Sequence, residues 1–275
     1  MILRLLWRAV VRAFDDGCFE AAKGAAFSAT LSFFPGLLVV AALLIQENVG
    51  DIVPEVSRAL GRVLPPDAHR LATQYLLEVR GAQGLLVGGG AVAVWSASGV
   101  ILSLKHGLHA AYKMKEKRSF LHARLVALVA VLLAGAPLVA ATILLVGGQL
   151  IEAGLLRMAG GGGSQWLVIL VGRLGRTVLA LGTCATVLAT VYHIVPNRRQ
   201  RWRLVWPGAL VATLLWWSAT LGFAWYASHV ARYRDFYGSL QAVVVLLIWM
   251  YIVNLLILIG GEFNAEYEAL TKKRK

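Results

Sequence analysis

Apolar residues run along this chain in six long blocks separated by short charged segments. Between Lys23 and Glu47, Arg80 and Lys105, Arg124 and Glu152, Arg176 and Arg198, Arg203 and Arg232, and Asp235 and Glu262 lie 23, 24, 27, 21, 28 and 26 residues without a formal charge. A helix needs about 20 residues to cross about 30 Å of hydrocarbon, so each block predicts one transmembrane helix. The chain therefore reads as an all-α polytopic membrane protein, a single six-helix domain over residues 1–275. Proline removes a helix donor and opens a kink, so Pro35 and Pro137 predict bends in the first and third spans.

Two stretches outside the blocks are amphipathic. In MILRLLWRAVVRAF, Arg4, Arg8 and Arg12 recur on one helical face, and the arginines interrupt what would have to be an unbroken apolar run in a secretory signal. This predicts an interfacial helix within residues 1–20, lying on the cytoplasmic leaflet with its arginines toward anionic phospholipids. Residues 47–83 contain VPEVSRALGRVL and DAHRLATQYLLEV, divided by Pro65 and Pro66. They predict short extracytoplasmic helices between spans one and two.

Composition agrees with the blocks: 59% of residues are hydrophobic and 15% charged, against about 25% charged in soluble proteins. The mean hydropathy is +0.69. The net charge of +13 is a statement about topology, because 18 of the 27 Lys and Arg residues fall before span one, between spans two and three, between spans four and five, or after span six. In the longest loop of the opposite side, Arg58, Arg62, Arg70 and Arg80 are balanced by Glu47, Asp51, Glu55, Asp67 and Glu78. The positive-inside rule then puts both termini in the cytoplasm. On this reading the basic residues face the bilayer surface and no nucleic acid is a partner.

The residues offer little for catalysis. Cys18 precedes span one and Cys184 falls inside span four, so no disulfide is expected; there is no CxxC, GxSxG, HExxH or Walker motif. Of the six histidines only His106 and His109 have a helical i, i+3 spacing, with no carboxylate cluster beside them, so no metal or cofactor is expected. Polar residues at membrane depth are costly and become the candidates. Arg173 and Arg176 stand out, since span four must reach back toward Trp166 to be long enough, which buries both below the interface. Ser28 and Ser32 share a face beside Pro35; Gln149 and Glu152 close the outer end of span three; Tyr237, Gln241 and Asn254 mark span six; Glu262 and Asn264 lie just past its end. Ser28, Ser32, Glu152, Arg173, Arg176, Tyr237, Gln241, Asn254, Glu262 and Asn264 form the candidate substrate-binding set.

Three segments, AAFSATLSFFPGLL, YHIVPNRRQRWRLVWPGAL and YGSLQAVVVLLIWMYIVNLLILIGGEFNAE, resemble the YihY family, also called the virulence factor BrkB family, in the same order along nearly the whole chain. The resemblance implies a bacterial inner-membrane protein with six helices and cytoplasmic ends, and it suggests transport. It also brings a historical ribonuclease BN label, for which the sequence assembles no metal ligands or acid/base pair beside a basic cleft. The expected function is transport or flipping of an anionic or lipid-like solute with Arg173 and Arg176 as charge partners, not enzymatic catalysis. The alternatives are a cation or proton exchanger resting on Glu152 and Glu262, and a non-transporting envelope scaffold.

The topology has a direct check by cysteine labelling from outside the cell. Positions 1, 115, 200 and 275 should be protected, and positions in 55–75 or at Gly162 should label. Strong external labelling at position 115 would reject the six-span arrangement.

Overall fold

The structure is a computed structural model, and it describes residues 2–46, 61, 69, 70, 74, 83–114, 119–135, 137, 165–198, 200–229 and 240–273. Most of them fall in seven long helices, with no strand among the described residues: α1 (Ile2–Asp15), α2 (Cys18–Gln46), α3 (Gln83–Ala111), α4 (Phe120–Gly135), α5 (Gln165–Ile194), α6 (Trp202–His229) and α7 (Gln241–Lys273). Each of the six charge-free blocks overlaps one of α2 to α7, the third with residues 136 and 138–151 outside the described residues. By length and composition, four helices among the described residues are able to cross a bilayer, over Gly88–Ala111, Ile169–Ile194, Trp202–Phe223 and Gln241–Lys272, with α4 a shorter apolar helix. The helix α2 runs on through Pro35, and α6 likewise contains Pro207 in its second turn. Pro137 is itself helical, two positions beyond Gly135 with residue 136 outside the described residues, and the helices expected in residues 47–83 lie almost wholly outside them.

On several helices a row of alanines faces inward while large apolar side chains line the opposite face. On α2, Ala22, Ala25 and Ala26 are buried while Phe27 and Leu31 are exposed; on α4, Ala123, Ala127 and Ala130 are buried while Leu125, Val129 and Leu132 are exposed. On α6 the same division separates Ala209 and Ala212 from Leu210, Leu214 and Leu221. Water would not tolerate such a surface, whereas lipid does, and helix association in lipid depends on close approach of backbones through small residues. This arrangement is that of a membrane protein.

The helix α7 is the hub, packing on α1, α2, α3 and α6, while α2 packs along α3 and α5 along α6. Its first half joins a cluster with Leu37 and Phe223, where the Phe223 and Trp249 rings stack at 5.5 Å. Its second half enters the main core of Leu104, Leu108, Ala189, Tyr192, Ala209, Ala212 and Leu258. The closest approach is between α6 and α7 at Gly208 and Gly260. A Cβ on Gly208 would overlap the Gly260 carbonyl oxygen, and one on Gly260 would lie 2.7 Å from the Ala212 Cβ and 2.8 Å from the Gly208 carbonyl oxygen.

Backbone cannot yield as a flexible side chain can, so Gly208→Ala should separate the two helices. Overpacking of this kind costs about 1–3 kcal/mol. A thermal unfolding midpoint in detergent several degrees below wild type is expected, with Gly182→Ala, which meets nothing within 4 Å, unchanged.

Candidate functional site

The polar residues that the fold brings together lie at one end of the bundle, where α1, the end of α3, the link between α5 and α6, and the end of α7 meet. Residues 258–264 of α7 are all buried, and the turn that follows adds two more buried carboxylates. Glu262, Asn264, Glu266 and Glu268 have relative exposures of 0%, 1%, 4% and 8%. A buried charge is tolerated only where it is paired or hydrogen-bonded, so each of these groups calls for a partner from another element.

The partners come from several elements. Arg12 of α1 forms an ion pair with Glu266. Arg198, in the link after α5, pairs with Glu268, which also accepts from Lys272 Nζ at 2.9 Å. The Arg198 guanidinium stands 4.7 Å from the Tyr112 ring centroid at the end of α3, and in the same corner the Asn197 N–H donates to His109 Nε2 at 3.4 Å. Burial pushes the Tyr112 phenol up to about 12, against the opposing pull of the Gln200 side chain and Arg198. The phenol therefore stays protonated at any physiological pH. Tyr192 of α5 donates to the Ile257 carbonyl at 2.5 Å. Asn264 spans α6: its Oδ1 accepts from the Gly208 N–H at 2.7 Å and its Nδ2 donates to the Val205 carbonyl at 3.0 Å.

Glu262 differs from the others. The turn between α1 and α2 is made by Gly17, whose φ of 69° lies in the left-handed region that glycine enters without strain. That tight reversal sets Asp16 and Cys18 side by side against α7. The Cys18 thiol donates to Glu262 Oε1 at 3.6 Å, and the Asp16 carboxyl stands beside the same group. Glu262 Oε2 has no hydrogen-bond partner among the described residues. Cys18 precedes the apolar run that begins after Lys23, and burial, followed by the charge of Glu262, pushes its thiol well above the ordinary range.

The structure separates the sequence candidates. Glu262 and Asn264 belong to this site, Asn264 as a clamp on the α6 backbone. Asn254 is buried and donates to the Met250 carbonyl of its own helix at 2.7 Å; Ser32 likewise donates to Ala29 at 2.9 Å. Ser28 packs at the crossing of α2 with Gly99, where a Cβ on Gly99 would meet its Oγ at 2.8 Å. Gln241 opens α7 at the opposite end. Arg173 and Arg176 lie on α5, with Arg176 half-buried and the Arg173 side chain outside the described residues. Glu152 and Tyr237 also lie outside the described residues. At 1.5 Å per residue Arg176 is about 24 Å along α5 from Tyr192, so the arginines and Glu262 do not share one site. Sequence reasoning missed Arg12, Asp16, Cys18, Tyr112, Arg198, Gln200, Glu266 and Glu268 as members. The available signal was EFNAEYE, a helix end with three carboxylates and Lys272 as its one cation at i+4 spacing, which implies partners from elsewhere.

The match to known proteins runs along nearly the whole chain. Residues 9–275 fit the family described as virulence factor BrkB. The chain belongs to that family. Among its relatives, the putative ribonuclease-like protein YfkH of Bacillus subtilis is 32% identical over 92% of this chain and 92% of its own length. UPF0761 membrane proteins of Nitrosospira multiformis and Stenotrophomonas maltophilia are 27% and 26% identical over 93% and 97% of this chain, which spans only 59% and 60% of their lengths. No solved structure matches the chain. The three BrkB-like segments include Asn197, Arg198, Gly208, Glu262, Asn264 and Glu266, so the family resemblance falls on the residues of this end.

The thiolate, not the thiol, reacts with alkylating agents, so a raised thiol lowers the reactive fraction at neutral pH. In a Cys184→Ala background Cys18 should alkylate at least about 100-fold slower than free cysteine at pH 8, with the rate still climbing between pH 8 and 10. Mass spectrometry of iodoacetamide adducts reads this; a plateau near pH 8.5 would contradict the Glu262 contact. Arg12→Gln, which releases α1, should speed the reaction.

Proposed function

We propose that this BrkB-family chain is a monovalent cation/proton exchanger of the bacterial inner membrane, with six spans and cytoplasmic ends, in which Glu262 is the exchanging group. One observation carries the reading: a carboxyl group with no exposure, one oxygen of which has no hydrogen-bond partner among the described residues, beside a second carboxyl at Asp16. A carboxylate cut off from water must carry a proton or a counter-cation, and the two are mutually exclusive occupants of the same oxygens. Alternation between them is the chemical step of an exchanger. Access would come from the side that α1 covers, since Arg12 is 43% exposed and its pair with Glu266 is open to water on one side.

The reading is tested with purified protein in liposomes under an imposed pH gradient, followed by a trapped pH-sensitive dye. Addition of Na⁺ or K⁺ should drive proton movement above the rate of empty vesicles. Glu262→Gln, neutral at every pH, should lower it by about tenfold or more, while Glu20→Gln, an exposed partner of Lys23, leaves it unchanged. Absence of cation-dependent proton flux, or a Glu262→Gln protein as active as wild type, would refute the exchanger. RNA cleavage by the pure protein would favour instead the ribonuclease-like activity for which YfkH is named.

A second reading, carriage of an anionic or lipid-like solute, is favoured by the position of Arg173 and Arg176, about 12 and 16 Å along α5 from Gln165. A guanidinium binds carboxylate or phosphate through two parallel hydrogen bonds that lysine cannot reproduce. Arg173→Lys should therefore abolish transbilayer movement of a fluorescent phospholipid and leave proton flux intact. Unimpaired lipid movement in that variant would reject this reading.

A further inference from the structure

The helix α1 has three faces, set roughly 120° apart at 100° per residue. Leu5, Ala9 and Ala13 form the first, buried against the bundle, with Leu5 and Ala9 packed on Phe263 of α7. Arg4, Arg8 and Arg12 form the second. Leu3, Trp7, Val10 and Phe14 form the third, and they are not covered by the protein: Leu3 is 82% exposed, Trp7 70% and Phe14 73%. A helix in water would not present such a ridge, and a helix inserted across the membrane would not present the arginines. Protein on one side, apolar ridge on another and cations on the third is the arrangement of a helix lying in a bilayer interface.

We propose that α1 is a binding arm for anionic phospholipid, with the Leu3, Trp7, Val10 and Phe14 ridge sunk between acyl chains and Arg4 and Arg8 on headgroup phosphates. Charge complementarity selects this occupant. Both arginines are exposed, and neither has an acidic residue three or four positions away on α1. The indole of Trp7 suits the headgroup boundary, where its ring meets acyl chains and its N–H meets water or phosphate. Because Arg12, the next residue on the basic face, holds Glu266, the lipid-bound arm is fastened to α7 beside Glu262. The lipid site is independent of the exchanger reading, since its readout is the arm and not transport.

Hydrogen exchange of the full chain in nanodiscs tests it. Residues 2–15 should exchange about tenfold more slowly in phosphatidylglycerol than in phosphatidylcholine, and the difference should shrink at high salt. Arg4→Gln with Arg8→Gln should abolish the lipid difference, whereas Arg203→Gln, an exposed cation on α6, should retain it. Trp7→Ser should lower protection in both lipids. Equal protection of wild type in the two lipids, or a double variant that still distinguishes them, would overturn the proposal. Protection that rises with protein-to-lipid ratio would assign the ridge to a second copy of the chain and equally overturn it.

Discussion

Burial of carboxylates at the end of α7 is the constraint on which the rest of this end depends. A charged group removed from water costs several kcal/mol unless it is paired, and α7 carries Glu262, Glu266 and Glu268 into the protein within two turns. Among the described side chains of α7, only Lys272 supplies one of them with a cation. The other partners are Arg12 before the first span and Arg198 after α5. Neither helix propensity nor apolar packing would direct those two arginines to the end of α7. The carboxylates do, and in doing so they gather the amino-terminal arm, the end of α3 and the α5–α6 link around one helix.

Close helix contact makes this possible. An amide can bridge Gly208 N–H and the Val205 carbonyl only if α6 and α7 approach to backbone distance, and Gly208 and Gly260 permit that approach. The main core contains many alanines for the same reason, with bulky residues assigned to the lipid-facing side. Hydrophobic burial in the aqueous sense supplies little to hold such a bundle together in lipid. Fit between small residues and directed hydrogen bonds carries more of the association, which is why the polar cluster is dense where the helices are closest.

These facts explain what was legible in the sequence. Charge-free blocks report length, and length is what a bilayer demands, so the helices from α2 to α7 followed from counting. The stripe of Arg4, Arg8 and Arg12 reported α1 for a similar reason, because three residues at period four define a face. Depth along a helix is also readable, and it drew attention to Arg173 and Arg176. Contacts between elements are different. Nothing in the spacing of Arg12 and Glu266, 254 positions apart, announces their pairing. Asn264 and Glu262 were legible as polar groups at a helix end, but their separate roles, one clamping backbone and the other facing Cys18 and Asp16, depend on which neighbour each meets. Ser28 reads as a polar lining residue from its own helix and as a packing residue once Gly99 is seen across from it.

The two ties that close this end are unequal, and the inequality has a direction. Arg198 is the more shielded cation, stacked on Tyr112 and paired with a carboxylate that Lys272 also holds. Removing it would expose several groups at once, so the α5–α6 link is fixed to α7. Arg12 is 43% exposed and is the one ion-pair partner of Glu266 among the described residues, and a pair open to water is weakened by salt and competes with hydration at every moment. The turn at Gly17 joins that weaker tie directly to Asp16 and Cys18. A small outward movement of α1 would therefore free Glu266 and shift Asp16 from Glu262, while Cys18 on α2 and the Arg198 tie stay in place.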